Sequence, residues 1–131
     1  EIHPSLLSKL MILDDKKNIT CVFANRLNKK FSLTIWDIGN FFLNSLFNLV
    51  NNSNVKDALC CAKAFFKSDI DTSALKSSKF DIDVEISSLL IKKNSNILDV
   101  EIQYERRNKR QGKKLGISDS IYIVNRIFSS F

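Results

Sequence analysis

Residues 82–104 read Ile-Asp-Val-Glu-Ile-Ser-Ser-Leu-Leu-Ile-Lys-Lys-Asn-Ser-Asn-Ile-Leu-Asp-Val-Glu-Ile-Gln-Tyr, and the hydrophobic period changes inside this stretch. Ile82, Ile86, Leu89 and Leu90 recur at helical spacing, so 82–93 is predicted to be a helix. Asn94-Ser95-Asn96 makes a turn. From Ile97 to Tyr104 apolar and polar residues alternate, which predicts a strand.

Working outward, the same alternation of elements continues. Upstream, Trp36 to Asn51 is the clearest helix, with Asp37, Asn40, Asn44 and Asn48 forming one polar stripe expected to face water. Ile38, Phe41, Phe42, Leu46, Phe47, Leu49 and Val50 surround that stripe, so the helix is expected to be largely buried or to lie against another surface. Asn51-Asn52-Ser53-Asn54 ends it. Ala58–Phe66 stays open between strand and helix. Ile19–Phe23 is a β-branched and aromatic run of strand length, expected to be buried on both faces as in a parallel sheet. At the start, His3-Pro4-Ser5 reads as the cap of a short helix ending near Asp14-Asp15. At the other end, Ser118 is expected to cap an amphipathic helix running through Phe128.

The order is helix–strand–helix–strand–helix–strand–helix, an α/β pattern in a single domain over 1–131. Three strands make a thin sheet that would want neighbours.

Composition narrows the function classes. The 131 residues suffice for one modest core, and 44% hydrophobic with 26% charged residues is ordinary for a globular chain. Cys21, Cys60 and Cys61 form no CxxC pair, and the one histidine is His3, which argues against a zinc site or a disulfide framework. All three cysteines read as small buried hydrophobes in a reducing, cytoplasmic setting. No signal peptide is recognisable, and the apolar stretch 35–50 is interrupted by polar residues and too short to span a bilayer. The chain begins at Glu1, which reads as a removed leader or a fragment.

The net charge is +6, and residues 105–114 hold six basic side chains and one acid, a net +5 that leaves +1 for the rest. Such a block is either a solvated loop or a binder of phosphates on nucleic acid, nucleotide or lipid headgroups.

An ordered set of segments resembles family 2 glycosyltransferases of the GT-A type, in particular the polyprenyl-phosphate mannose and glucose synthases. Phe80-Asp81-Ile82-Asp83-Val84-Glu85-Ile86 is similar to the family's "Phe-x-Phe-Glu-x-Glu" helix start, and Val100-Glu101-Ile102-Gln103-Tyr104 to its "Val-Pro-Ile-x-Tyr" strand. Arg107 with Gly112-Lys113-Lys114-Leu115-Gly116 and Asp119 resembles the basic loop before its "Asp-Gly" helix. Upstream, Asn25-Arg26 falls after the first strand where the family has "Gly-Ser-Arg". Gly39-Asn40 matches a frequent pair in its long apolar helix, and Lys56-Asp57 through Lys63-Ala64-Phe65 resembles "Thr-Asp-x-x-Thr-Cys-Tyr-Lys-x-Phe". Glu1-Ile2-His3-Pro4 looks like the residues just after the DxD motif. The chain departs from the pattern at Glu101, Ala62 and Ser120, where the family has proline, tyrosine and glycine.

The resemblance implies a partial GT-A-like (Rossmann-like) sheet with flanking helices and a C-terminal amphipathic helix. It also implies transfer of a sugar from a nucleotide-sugar donor to a polyprenyl-phosphate or glycan acceptor. The donor half and the DxD carboxylates that hold Mg or Mn would precede residue 1, so the chain is expected to bind no cofactor and to be inactive alone. That half, or a further copy of the chain, is the implied protein partner.

By the same resemblance Arg26 points at a phosphate, Asp57 lies where the family keeps an acid near the reacting centre, and Arg107, Lys113 and Lys114 face a substrate phosphate. Each has a plainer reading: a surface arginine, a turn cap, a solvated loop. Glu85 suits a first helical turn, and Asp14, Asp15, Asp69 and Asp71 read as turn residues. Ile121, Val124, Ile127 and Phe128 share one side of the last helix, which would suit a core or a membrane surface. The alternative functions are a small basic module for nucleic acid or anionic lipid, and a non-catalytic interaction fragment.

Overall fold

The computed structural model describes residue 4 and residues 7–26, 35–77, 79–93, 95–104 and 116–129. Their elements run α1 (Leu7–Leu10), β1 (Cys21–Arg26), α2 (Ile35–Asn51), β2 (Lys63–Phe65), α3 (Ile82–Lys92), β3 (Ile97–Ile102) and α4 (Ile117–Ser129). The alternation read from the sequence is therefore present, as a three-stranded mixed sheet with flanking helices.

The central strand is β1, parallel to β3 from Cys21↔Ile97 to Arg26↔Ile102 and antiparallel to β2 from Cys21↔Phe65 to Phe23↔Lys63. Cys21, Val22, Phe23 and Ala24 are all fully buried, because both faces of β1 are covered. Cys21 and Phe23 enter a core with Leu43, Phe47, Val84, Leu90, Ile123 and Ile127 of α2, α3 and α4. Val22 and Ala24 meet Leu10, Cys60 and Ile102 on the other face. The strand starts two residues later than Ile19 and continues to Arg26, so Asn25-Arg26 belongs to the ladder rather than following it. The starts of β1 and β3 are pinned by Asn96, whose N–H donates to Thr20 Oγ1 at 3.0 Å and whose Nδ2 donates to the Asn18 carbonyl at 2.7 Å.

In α2 the polar stripe faces inward, contrary to the expectation that it faces water. Asp37 is buried, while Asn44 and Asn48 are spent on the backbone of 53–58. The loop approaches this flank of the helix closely, and the asparagine amides, which both donate and accept, satisfy its backbone amides and carbonyls. Leu43 and Phe47 point to the core, and much of the remaining apolar circumference is exposed rather than buried. Asn52 at φ 47° ends the helix, with the Ser53 N–H reaching the Asn48 carbonyl at 2.9 Å in the pattern of a left-handed C-cap.

Several other boundaries differ. The open segment 58–66 resolves into a turn and the short β2, since Ala62 and Ala64 pack on one face and Phe65 on the other. The first helix ends at Leu10, well before Asp14, whose carboxylate caps the turn 15–17 by accepting from the Lys16 and Lys17 amides. The last helix already includes Ile117, so Ser118 is inside it. The Asp119 carboxylate instead accepts from the Gly116 N–H at 2.7 Å. Its apolar residues divide: Ile127 is buried in the core with Ile123, while Ile121 and Phe128 are exposed.

Candidate functional site: a buried arginine–aspartate pair at the strand ends

Two of the residues singled out in the sequence, 31 positions apart, meet each other. Arg26 ends β1, and its Nε and Nη2 donate to Asp57 Oδ2 and Oδ1 at 2.6 and 2.8 Å. The carboxylate is fully buried and the guanidinium nearly so, with 15% of its side chain exposed. Arg26 is therefore not a loose surface arginine. Burial works against its charge, and the bidentate carboxylate more than offsets that, holding its pKa above the ordinary arginine value.

The loop that delivers Asp57 is built by α2. Asn44 Nδ2 donates to the Val55 and Lys56 carbonyls, and its Oδ1 accepts from the Ala58 N–H at 2.9 Å. These bonds bracket Asp57. Asp57 also begins a turn, its carbonyl accepting from the Cys60 N–H at 3.1 Å. Asp57 takes Nε and Nη2 of Arg26, which leaves Nη1 outside that pair. Tyr104, two residues beyond β3, places its ring 5.3 Å from the guanidinium carbon.

A second pair of charges stands nearby and was not anticipated. Lys63 on β2 is almost wholly buried, with Nζ on the Cys60 carbonyl, 4.0 Å from Asp83 in the first turn of α3 and 5.2 Å from the Phe23 ring centroid. Burial lowers the Lys63 pKa and raises that of Asp83, against the opposing pull of each on the other. A signal for Lys63 was available: in a strand it shares a face with Phe65 two residues on, and that face is the core.

The pair sits at the carboxyl ends of the parallel strands β1 and β3, the edge where open α/β sheets place ligands. Arg107, Lys113 and Lys114 lie outside the described residues. The sequence enters that basic segment directly after Tyr104, the residue that covers Arg26. Glu85 serves the fold: it accepts from the Lys76 and Ser77 amides and, at 3.3 Å, from Arg126, which also binds Asp81. Asp71 caps its own turn, as expected of a turn residue, whereas Asp69, paired with Lys93, keeps only 14% of its side chain exposed and is not solvated. Cys21 and Cys60 are buried, but Cys61 is exposed, because the turn before β2 points it outward.

A cavity of about 450 Å³ lined by Ser53, Asn54, Ser95, Asn96 and Asp99 opens near the start of β3, away from Arg26. Among the described residues no group of three or more His, Cys, Asp or Glu is placed to hold a metal ion. No described helix is long and apolar enough to cross a membrane.

The described fold thus defines a mixed α/β layer with a fixed arginine at its strand ends. Comparisons of this chain with family models, with curated proteins and with solved structures gave no match.

Proposed function

We propose that this chain is the acceptor-side part of a GT-A-type, family 2-like glycosyltransferase, and that Arg26 is its phosphate-binding residue. The observation that carries the proposal is the bidentate Arg26–Asp57 pair at the carboxyl ends of β1 and β3. A guanidinium fixed in this way presents a planar fork to phosphate oxygens without the entropy loss of ordering a free side chain. Asp57 acts through Arg26 as a positioning residue: both its oxygens are occupied by the guanidinium and it is fully buried. Arg107, Lys113 and Lys114 add positive charge to the same phosphate, on a nucleotide sugar or a polyprenyl-phosphate acceptor. The chain works with a donor-binding half and does not turn over a nucleotide sugar by itself. Exposed Ile121 and Phe128 on α4 favour an acceptor presented at a cytoplasmic membrane surface.

The test is titration of the chain with a nucleoside diphosphate, a short-chain polyprenyl phosphate in micelles, and a short oligonucleotide. The phosphate compounds are expected to bind, and Arg26→Gln combined with Asp57→Asn, which keeps a neutral hydrogen-bonding pair, is expected to weaken them at least about tenfold. Circular dichroism checks that the double variant is folded. Steeply salt-dependent binding of the oligonucleotide, unaffected by that variant, would replace the transferase proposal with a nucleic-acid module.

A further inference from the structure

The outer side of α2 presents a row of large apolar side chains to solvent. Ile35 is 71% exposed, Ile38 50%, Phe41 63%, Phe42 62% and Leu49 79%. With the exposed Ser45, positions 35, 38, 42, 45 and 49 follow the alternating three–four spacing of a helix–helix seam, and Phe41 lies beside it. We propose that this seam is where two copies of the chain pair as a twofold dimer, α2 against α2 in antiparallel orientation.

The seam is self-complementary at Ile35, Phe42 and Leu49. Ile35 lies seven residues before Phe42 and Leu49 seven after it, so an antiparallel copy sets Ile35 of each chain against Leu49 of the other, with the two Phe42 rings at the axis. Gly39 and Ser45, three residues before and after Phe42, come level with each other on the two flanks of the seam. Both are small, and a Cβ added at Gly39 would meet nothing within 4 Å, so the backbones can approach there.

Area supports the same occupant. At full side-chain areas near 150–250 Å², these exposures amount to roughly 600 Å² of apolar surface per copy, at the upper end for a monomer's largest patch. Two such faces bury about 1,200 Å², the lower bound of specific protein interfaces.

Charge favours a second copy over a bilayer. The helix has no lysine or arginine along its 17 residues, and its one acid, Asp37, is buried. No like charges oppose self-association, and no basic rim on the helix offers itself to anionic lipid headgroups.

The experiment is sedimentation velocity on the 131-residue chain from micromolar to millimolar concentration. A reversible dimer is expected, and Phe42→Glu and Leu49→Glu, at exposed positions that leave the core untouched, are each expected to raise its dissociation constant at least about tenfold. Circular dichroism checks that both variants keep the wild-type fold. A wild-type chain monomeric throughout overturns the proposal, as does a dimer that both variants retain. Flotation of a monomeric chain with phosphatidylserine vesicles, lost in Phe42→Glu, overturns it in favour of a membrane-facing helix. None of these outcomes depends on Arg26 or on phosphate binding.

Discussion

Asn48 holds Val55 by both of its backbone groups, donating from Nδ2 to the carbonyl at 2.9 Å and accepting the amide on Oδ1 at 3.0 Å. One side chain thereby replaces a stretch of ladder for a loop that has none. With Asn44 one turn earlier it fixes the path by which Asp57 reaches Arg26. The helix thus positions the site through the backbone on either side of Asp57.

Asn48→Leu keeps side-chain volume but removes both bonds, leaving a Val55 amide unsatisfied near the core. A loss of about 1–3 kcal/mol is expected in equilibrium urea unfolding. An unchanged midpoint would mean that the loop is held by other contacts.

The Arg26–Asp57 pair should behave very differently when one partner or both are removed. Arg26→Ala takes the bidentate guanidinium away from a fully buried carboxylate, and Asp57→Ala takes the carboxylate away from a largely buried guanidinium. Each is expected to cost about 3–5 kcal/mol. Arg26→Ala combined with Asp57→Ala should cost far less than the sum of the two, measured as a double-mutant cycle. Additive losses would show that the two side chains are not coupled.

Asp83 gives a pH signature. Burial raises its pKa above the ordinary carboxylate value of 3.8, so its contribution to stability is full below that pH and is lost as pH rises through the raised value. Asp83→Asn removes the ionisation, so relative to wild type the variant should gain stability between acid and neutral pH. Urea midpoints of both proteins on the two sides of this window test the sign. A wild-type protein that gains on the variant as pH rises would show the Lys63 attraction to outweigh burial.

The three cysteines should separate by reactivity. Burial pushes the Cys21 thiol up to about 12 and also raises that of Cys60, whereas Cys61 is exposed. Native chain treated with iodoacetamide near pH 8 is expected to carry one label, at Cys61, with the other two modified only after unfolding. Mass spectrometry of the digested protein reads the positions, and native labelling at Cys60 would show that the turn 57–61 opens.

The order of the elements and the class of the fold are legible in the sequence. The change of period between residues 82–93 and 97–104, the buried run of β1 and the long α2 are local patterns, set by which side chains must leave water within a few residues of each other. It also drew attention to Arg26 and Asp57, through an ordered resemblance, though not to their meeting. Packing of the whole chain was needed to show that the asparagines of α2 face a loop, that Phe41 and Phe42 face solvent, and that Lys63 is buried beside Asp83. The physical reason is that the partners lie far apart in sequence. A polar stripe looks the same whether it is hydrated by water or by the backbone of a distant loop, and only the packed chain supplies that backbone. Likewise, an arginine at a strand end becomes a fixed fork only when a carboxylate 31 residues away is buried against it.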